Sequence, residues 1–278
     1  MTRASASVVS FLKLVLGGAG EAVGALDAGA SEEPVPDADH FRAERAGWRA
    51  SLGADASLRQ QGIDLQLSAD DHHYTYSWEW LGVPIIRLPD DIVVLQELIW
   101  AYRPQRIVET GVARGGSMLL DSSLMTLAGL EPAVLGIDIS IFAHTHEALA
   151  DHPMSRGVTL LEASSVSDEA VTAAREFLGD CERALIVLDS NHTHEHVLAE
   201  LRVLAPLLPA GSFVLVADTV IEELPQGHYV NRPWDRGNSP LTAANQFLDE
   251  NPGFERDTEW SRRALLTEFR DGILRRTS

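Results

Sequence analysis

From Arg106 to Asp218 the chain alternates short apolar runs with helix-patterned segments, and that rhythm admits few folds. The runs fall at residues 106–110, 133–139, 158–162, 184–189 and 212–218, with helical spacing near 116–128, 144–150, 168–177 and 193–204. Apolar strands joined by helical crossovers must be covered on both faces, so the pattern predicts a parallel sheet between two helix layers. Pro89 and Asp90 open a further helix, with Ile92, Val93, Leu95, Leu98 and Ile99 as its apolar positions, that ends before Pro104. After Asp218 the rhythm stops. Residues 224–240 hold Pro225, Gly227, Pro233, Gly237 and Pro240 and read as a lid-like loop. A helix over 241–250 follows, and segments 254–260 and 264–269 are expected to pair as an antiparallel edge. The fold class is therefore α/β, a Rossmann-like doubly wound sheet, mostly parallel, with an antiparallel C-terminal edge.

Three regions are expected. Residues 1–39 carry a short apolar helix around residues 7–16 and an acidic, proline-containing linker. Residues 40–104 form a helical extension with an aromatic stretch at 74–84, placed to cover a substrate, and residues 105–278 form the main domain. The apolar run at 7–16 is too short to span a bilayer and carries Lys13 in its middle. Lys13 is the only lysine, which argues against Schiff-base chemistry and a P-loop lysine. Cys181 is the only cysteine, so intramolecular disulfides and cysteine-rich metal sites are excluded and a reducing cytoplasm fits best. A net charge of -19 repels phosphate backbones and anionic lipid, so neither nucleic acid nor membrane is an expected partner.

In an open parallel sheet, ligands sit beyond the carboxyl ends of the strands. Here those ends are Glu109-Thr110-Gly111, Asp138, Glu162-Ala163-Ser164-Ser165, Asp189 and Asp218. Polar strand ends also cap helices, but five ends bearing carboxylates are more than capping requires. Gly111 to Gly116 forms a strand-to-helix turn without the G-x-G-x-x-G spacing of a dinucleotide site. Asp138 stands where an acid accepts from both ribose hydroxyls, and with Glu109 in the turn the pocket suits the cationic sulfonium of S-adenosylmethionine better than a diphosphate. The second signal is Asp189-Ser190-Asn191-His192-Thr193-His194-Glu195-His196. His192 and His196 have zinc-ligand spacing, but H-E-x-x-H is absent, and Thr193 capping an exposed helix of polar histidines is the plain alternative. Asp189 and Asp218, on adjacent strand ends, suit a hard cation such as Mg2+.

Taken together, Ile107 to Gly111, Arg114 to Ser117, Gly136 to Ile139, Leu188 to His196 and Val216 to Thr219 resemble the cephalosporin hydroxylase family, a relative of the macrolide and rhamnosyl sugar O-methyltransferases. The similarity runs over about 78–278 and includes Arg232-Pro233-Trp234. It implies a class I methyltransferase fold with a seven-stranded sheet. It also implies that Glu109, Gly111, Arg114 and Ser117 line the methionine part of S-adenosylmethionine, Asp138 the ribose, and Ser164 and Ser165 the adenine side. Asp189 lies beside the cofactor, Asp189 and Asp218 hold Mg2+, and His192 with Asp189 is catalytic. Ala217 departs from relatives that carry Glu before the second Asp, leaving water, substrate or Glu222 to complete the metal site. The implied activity is methyl transfer to a hydroxyl of a small natural product, an antibiotic or its sugar, by a homo-oligomer. Two rivals are an accessory protein supporting a partner oxygenase and a cyclase or NAD-linked oxidoreductase using the same pocket.

Overall fold

The computed structural model describes residues 38–278, so the helix expected around residues 7–16 and most of the linker lie outside the described residues. Ala38 and Asp39 open helix α1 (Ala38–Ala54). The helical extension expected from residue 40 begins as two helices, because Asp55 leaves the helical conformation and caps α2 (Ala56–Asp70) by accepting from the Leu58 amide. A 3-10 turn (Tyr74–Tyr76) leads into a hairpin of β1 (Trp78–Trp80) and β2 (Val83–Ile85).

Helix α3 (Pro89–Tyr102) has proline in its first turn and stops on Arg103 in the left-handed region, one residue before Pro104. The alternation then appears as β3 (Arg106–Thr110), α4 (Gly116–Leu127), β4 (Val134–Asp138), α5 (Ala143–Ala150), β5 (Val158–Glu162), α6 (Asp168–Leu178), β6 (Ala184–Leu188), α7 (His194–Leu204) and β7 (Phe213–Val216). The C-terminal part supplies α8 (Pro240–Glu250), β8 (Phe254–Arg256), α9 (Thr258–Ser261) and β9 (Ile273–Arg276). The seven-stranded sheet has the order β5-β4-β3-β6-β7-β9-β8, with β9 antiparallel to both neighbours. Strand order reverses between β3 and β6, the position where an open α/β sheet leaves a crevice.

The antiparallel edge exists, but its second strand is Ile273–Arg276 rather than 264–269. Segment 264–269 is instead tied by its backbone and by Thr267 to Asp91 at the start of α3. Packing follows the alternation along each strand. Ile107, Leu185 and Leu215 face a core with Leu98, Met118 and Leu119, whereas Val108, Ile186 and Val214 face one with Ala174, Leu201 and Phe247. Thr110 is in register with Leu188, and Leu188 with Val216, so the three central strands end level and present Gly111, Asp189 and Asp218 on one rim. No described helix is long and apolar enough to cross a membrane.

Candidate active site

A cavity of about 920 Å³ opens on that rim. Gly111, Arg114, Ser117, Asp189, His192 and Asp218 all line it. Gly111 has φ +92°, and a Cβ there would collide with the Asp189 carbonyl, so only glycine lets the β3 turn pass the end of β6. Arg114 also meets the ring of His144 at 2.9 Å. The front section contributes Thr75, Tyr76, Ile85 and Arg87 to the lining, and Tyr229 and Trp234 come from the 224–240 loop.

The metal-type cluster forms. One ligand atom each from Asp189, His192 and Asp218 lies within 4.8 Å of the other two, a donor set suited to a hard divalent cation. His192 Nδ1 is 3.3 Å from Asp218 Oδ2, and the imidazole meets the Trp234 ring edge-on with centroids 4.6 Å apart. Asp218 has φ +54°, a left-handed conformation that Asp tolerates better than most residues. The other histidines go elsewhere. His194 bonds Thr242 and Gln246 on α8, and His196 bonds Ser165 and Ser190 and pairs with Glu200. The plain reading of Thr193 as a helix cap holds, because its side chain accepts from the His196 amide. Glu222 is not at the cluster either, since its carboxylate accepts from Gly237 and Ser239 and secures the loop.

The floor of the cavity holds a residue that belongs to no functional motif. Arg87, 2% exposed, donates to Glu109 Oε1 and Asp189 Oδ2, both at 3.3 Å, and lies 5.1 Å above the Phe269 ring. It thus joins the carboxylates that end β3 and β6. Burial alone would discharge it, but Asp189 and Glu109 outweigh that and push its pKa up. Burial and the neighbouring Asp121 drive the Glu109 carboxyl well above its ordinary range. Asp189 is pushed up to about 6, chiefly by burial, with Arg87 opposing. The only advance signal for Arg87 is an arginine closing the apolar run Val83-Pro84-Ile85-Ile86.

Other expected cofactor residues sit apart from the cavity wall. Glu109 is fully buried and accepts from Arg87. The Asp138 carboxylate clasps the glycine turn: it accepts from the Val112 and Ala113 amides at 2.8 and 3.3 Å and from the Ser140 amide at 3.1 Å. With about four lone-pair positions on a carboxylate, part of its capacity remains for a ribose hydroxyl. Next to it Ile139 is 75% exposed, an apolar face on which an adenine ring could stack. Ser165 is buried against His196, and Ser164 accepts the Ser167 amide through its carbonyl.

The rhamnosyl O-methyltransferase/CmcI family model matches residues 72–277. The chain belongs to this family, and so to the S-adenosylmethionine-dependent methyltransferases. Among its relatives, a rhamnosyl O-methyltransferase of Mycobacterium leprae is 27% identical over 74% of this chain and 89% of its own. One of Mycobacterium tuberculosis H37Rv is 29% identical over 70% and 76%. A CmcI structure carrying Mg and S-adenosylmethionine superimposes with a TM-score of 0.52, at 20% identity over 73% of this chain and 78% of that one, and supports the shared fold.

Proposed function

We propose that this enzyme methylates a hydroxyl of a small natural product or of a sugar attached to one, with Mg2+ assistance and His192 as general base. The observation that carries this reading is the meeting, in one cavity, of the glycine turn from Gly111 to Ser117 with the cluster of Asp189, His192 and Asp218. The relatives named rhamnosyl O-methyltransferase support a sugar hydroxyl as acceptor.

In this reading Gly111, Arg114 and Ser117 hold the amino-acid part of the methyl donor, Asp138 a ribose hydroxyl, and Asp189 with Asp218 the metal. When bound, S-adenosylmethionine supplies a methyl carbon activated by its sulfonium, and Mg2+ supplies a Lewis acid that acidifies a hydroxyl. His192 takes the hydroxyl proton on Nε2, because Nδ1 is turned to Asp218, and the Trp234 edge restrains the ring. Asp218 fixes the tautomer and steadies the imidazolium that results. Tyr76, Tyr229 and Trp234 wall the acceptor and exclude water from the alkoxide as it forms.

The test uses S-adenosylmethionine labelled on its methyl group, Mg2+ and a panel of rhamnosides and other glycosylated natural products. Label is expected on one hydroxyl, with turnover abolished by EDTA. Binding of adenosylhomocysteine without labelled product across the panel would favour the accessory role. The mutual approach of all three side chains favours a second reading, with His192 as a third metal ligand. His192→Ala separates the two: Mn2+ affinity is retained if His192 is the base and falls steeply if it is a ligand.

A further inference from the structure

Three polar side chains lining the cavity are more than nine-tenths buried: Gln66, Arg87 and Glu268. Arg87 is committed to Glu109 and Asp189. Glu268, 7% exposed, has a carboxyl group that makes no hydrogen bond or ion pair among the described residues. A carboxylate enclosed in this way, facing the cavity with no protein partner, is held in its charged form by a cation that occupies the cavity.

The backbone holds this group in place from both sides. The Glu268 amide donates to Asp91 Oδ2 at 2.8 Å, and its carbonyl accepts from the Thr219 amide and hydroxyl at 3.0 and 2.9 Å. Thr219 follows Asp218, so the loop bearing Glu268 is fastened beside the metal-type cluster. Burial and then Asp218 are the strongest influences raising the Glu268 carboxyl pKa, as expected for a near neighbour. Charge also runs short here. Among the described residues Arg87 is the buried cation paired with Glu109 and Asp189, and the other buried arginine nearby, Arg270, donates to the Leu265 carbonyl.

We infer that Glu268 is a positioning residue for the divalent cation that Asp189 and Asp218 hold, completing the charge of the site from a distant part of the chain. This rests on the metal reading given above. Glu268 stands outside the set of atoms within 4.8 Å, so it acts through water, which Mg2+ retains readily, and not as a direct ligand.

The test titrates Mn2+ into the wild type, Glu268→Gln and Glu268→Asp, with adenosylhomocysteine present and no acceptor, following free Mn2+ by electron paramagnetic resonance. Loss of such an outer partner weakens a metal site by about 10- to 100-fold. Glu268→Gln is expected to lose at least about tenfold in Mn2+ affinity, at the low end of that range, with Glu268→Asp in between and adenosylhomocysteine affinity within about twofold of wild type. If Glu268→Gln folds poorly, the Glu268→Asp value decides, since a shortened carboxylate must still weaken Mn2+. Equal affinity in wild type and variants overturns the inference alone, leaving the carboxylate for a cationic group on the acceptor. Absence of Mn2+ binding in the wild type overturns the metal reading together with it.

Discussion

The two walls of the cavity are built differently. One is the rim of the sheet, where Gly111, Asp189 and Asp218 follow directly from strands whose register is fixed by backbone pairing. The other is wrapped on: Gln66 and Asp70 from α2, Tyr76 from the turn after it, and Tyr229 and Trp234 from the loop at 224–240. The rim is held by buried charge around Arg87. The wrapped wall is held by partly exposed polar contacts, such as Asp70 accepting from His228 Nε2 at 3.1 Å and Tyr229 Oη at 3.3 Å. Gln66, Asp70 and Asp71 also lie before residue 72, where the family match begins. The rim and the residues Tyr76, Tyr229 and Trp234 thus fall within the family match, and the α2 part of the wrapped wall falls outside it; on the proposed reading, cofactor chemistry belongs to the rim and acceptor choice to the wrapped wall.

Variants can break this contrast. The largest effect is expected from His192→Ala: if His192 is the base proposed above, methyl transfer falls by about 10²- to 10⁴-fold in single-turnover assays, with adenosylhomocysteine affinity unchanged. Next is Arg87→Met, which strands Glu109 and Asp189 without their cation. A loss of about 3–5 kcal/mol is expected in denaturant unfolding, and with it weaker cofactor binding. A smaller effect involves pH. Asp91 and Asp121 are both pushed up to about 7, first by burial. Their native pKa values lie above the unfolded ones, so the folded state binds more protons through that window. Stability should therefore fall as pH rises from about 5 to about 8 in melting experiments without metal, and Asp121→Asn should flatten that slope. The smallest effect is expected from Asp70→Asn on the wrapped wall: about 1 kcal/mol or less of stability, unchanged cofactor affinity and faster proteolysis within 224–240. A comparable loss of cofactor affinity in Asp70→Asn and Arg87→Met would erase the distinction between the walls.

The same contrast governs what could be read in advance. Rim residues were legible because apolar periodicity locates each strand and its last polar residue then falls on the rim. His192 was separable from His194 and His196 because it precedes the Thr193 cap, while the other two lie on α7 and are spent on Thr242, Gln246, Ser165, Ser190 and Glu200. Asp91 and Glu268 carry no local signal, and Arg87 carries only its place after the apolar run Val83 to Ile86. They meet only because segment 264–269 folds back onto the start of α3, a long-range contact without sequence periodicity, whereas the edge strand expected there is provided by Ile273–Arg276. Asp138 was found as a strand-end acid, but its clasp on the Val112 and Ala113 amides depends on the turn's three-dimensional course.

The central claim, that the sheet rim binds S-adenosylmethionine, is tested most directly by thermal unfolding of the wild type with adenosylhomocysteine or NADH at matched concentrations. A ligand at 100 times its Kd adds about 2.7 kcal/mol, which for a chain of this size raises Tm by roughly 5–10 °C. Adenosylhomocysteine is expected to give that rise and NADH none. Stabilisation by NADH without stabilisation by adenosylhomocysteine would contradict the account.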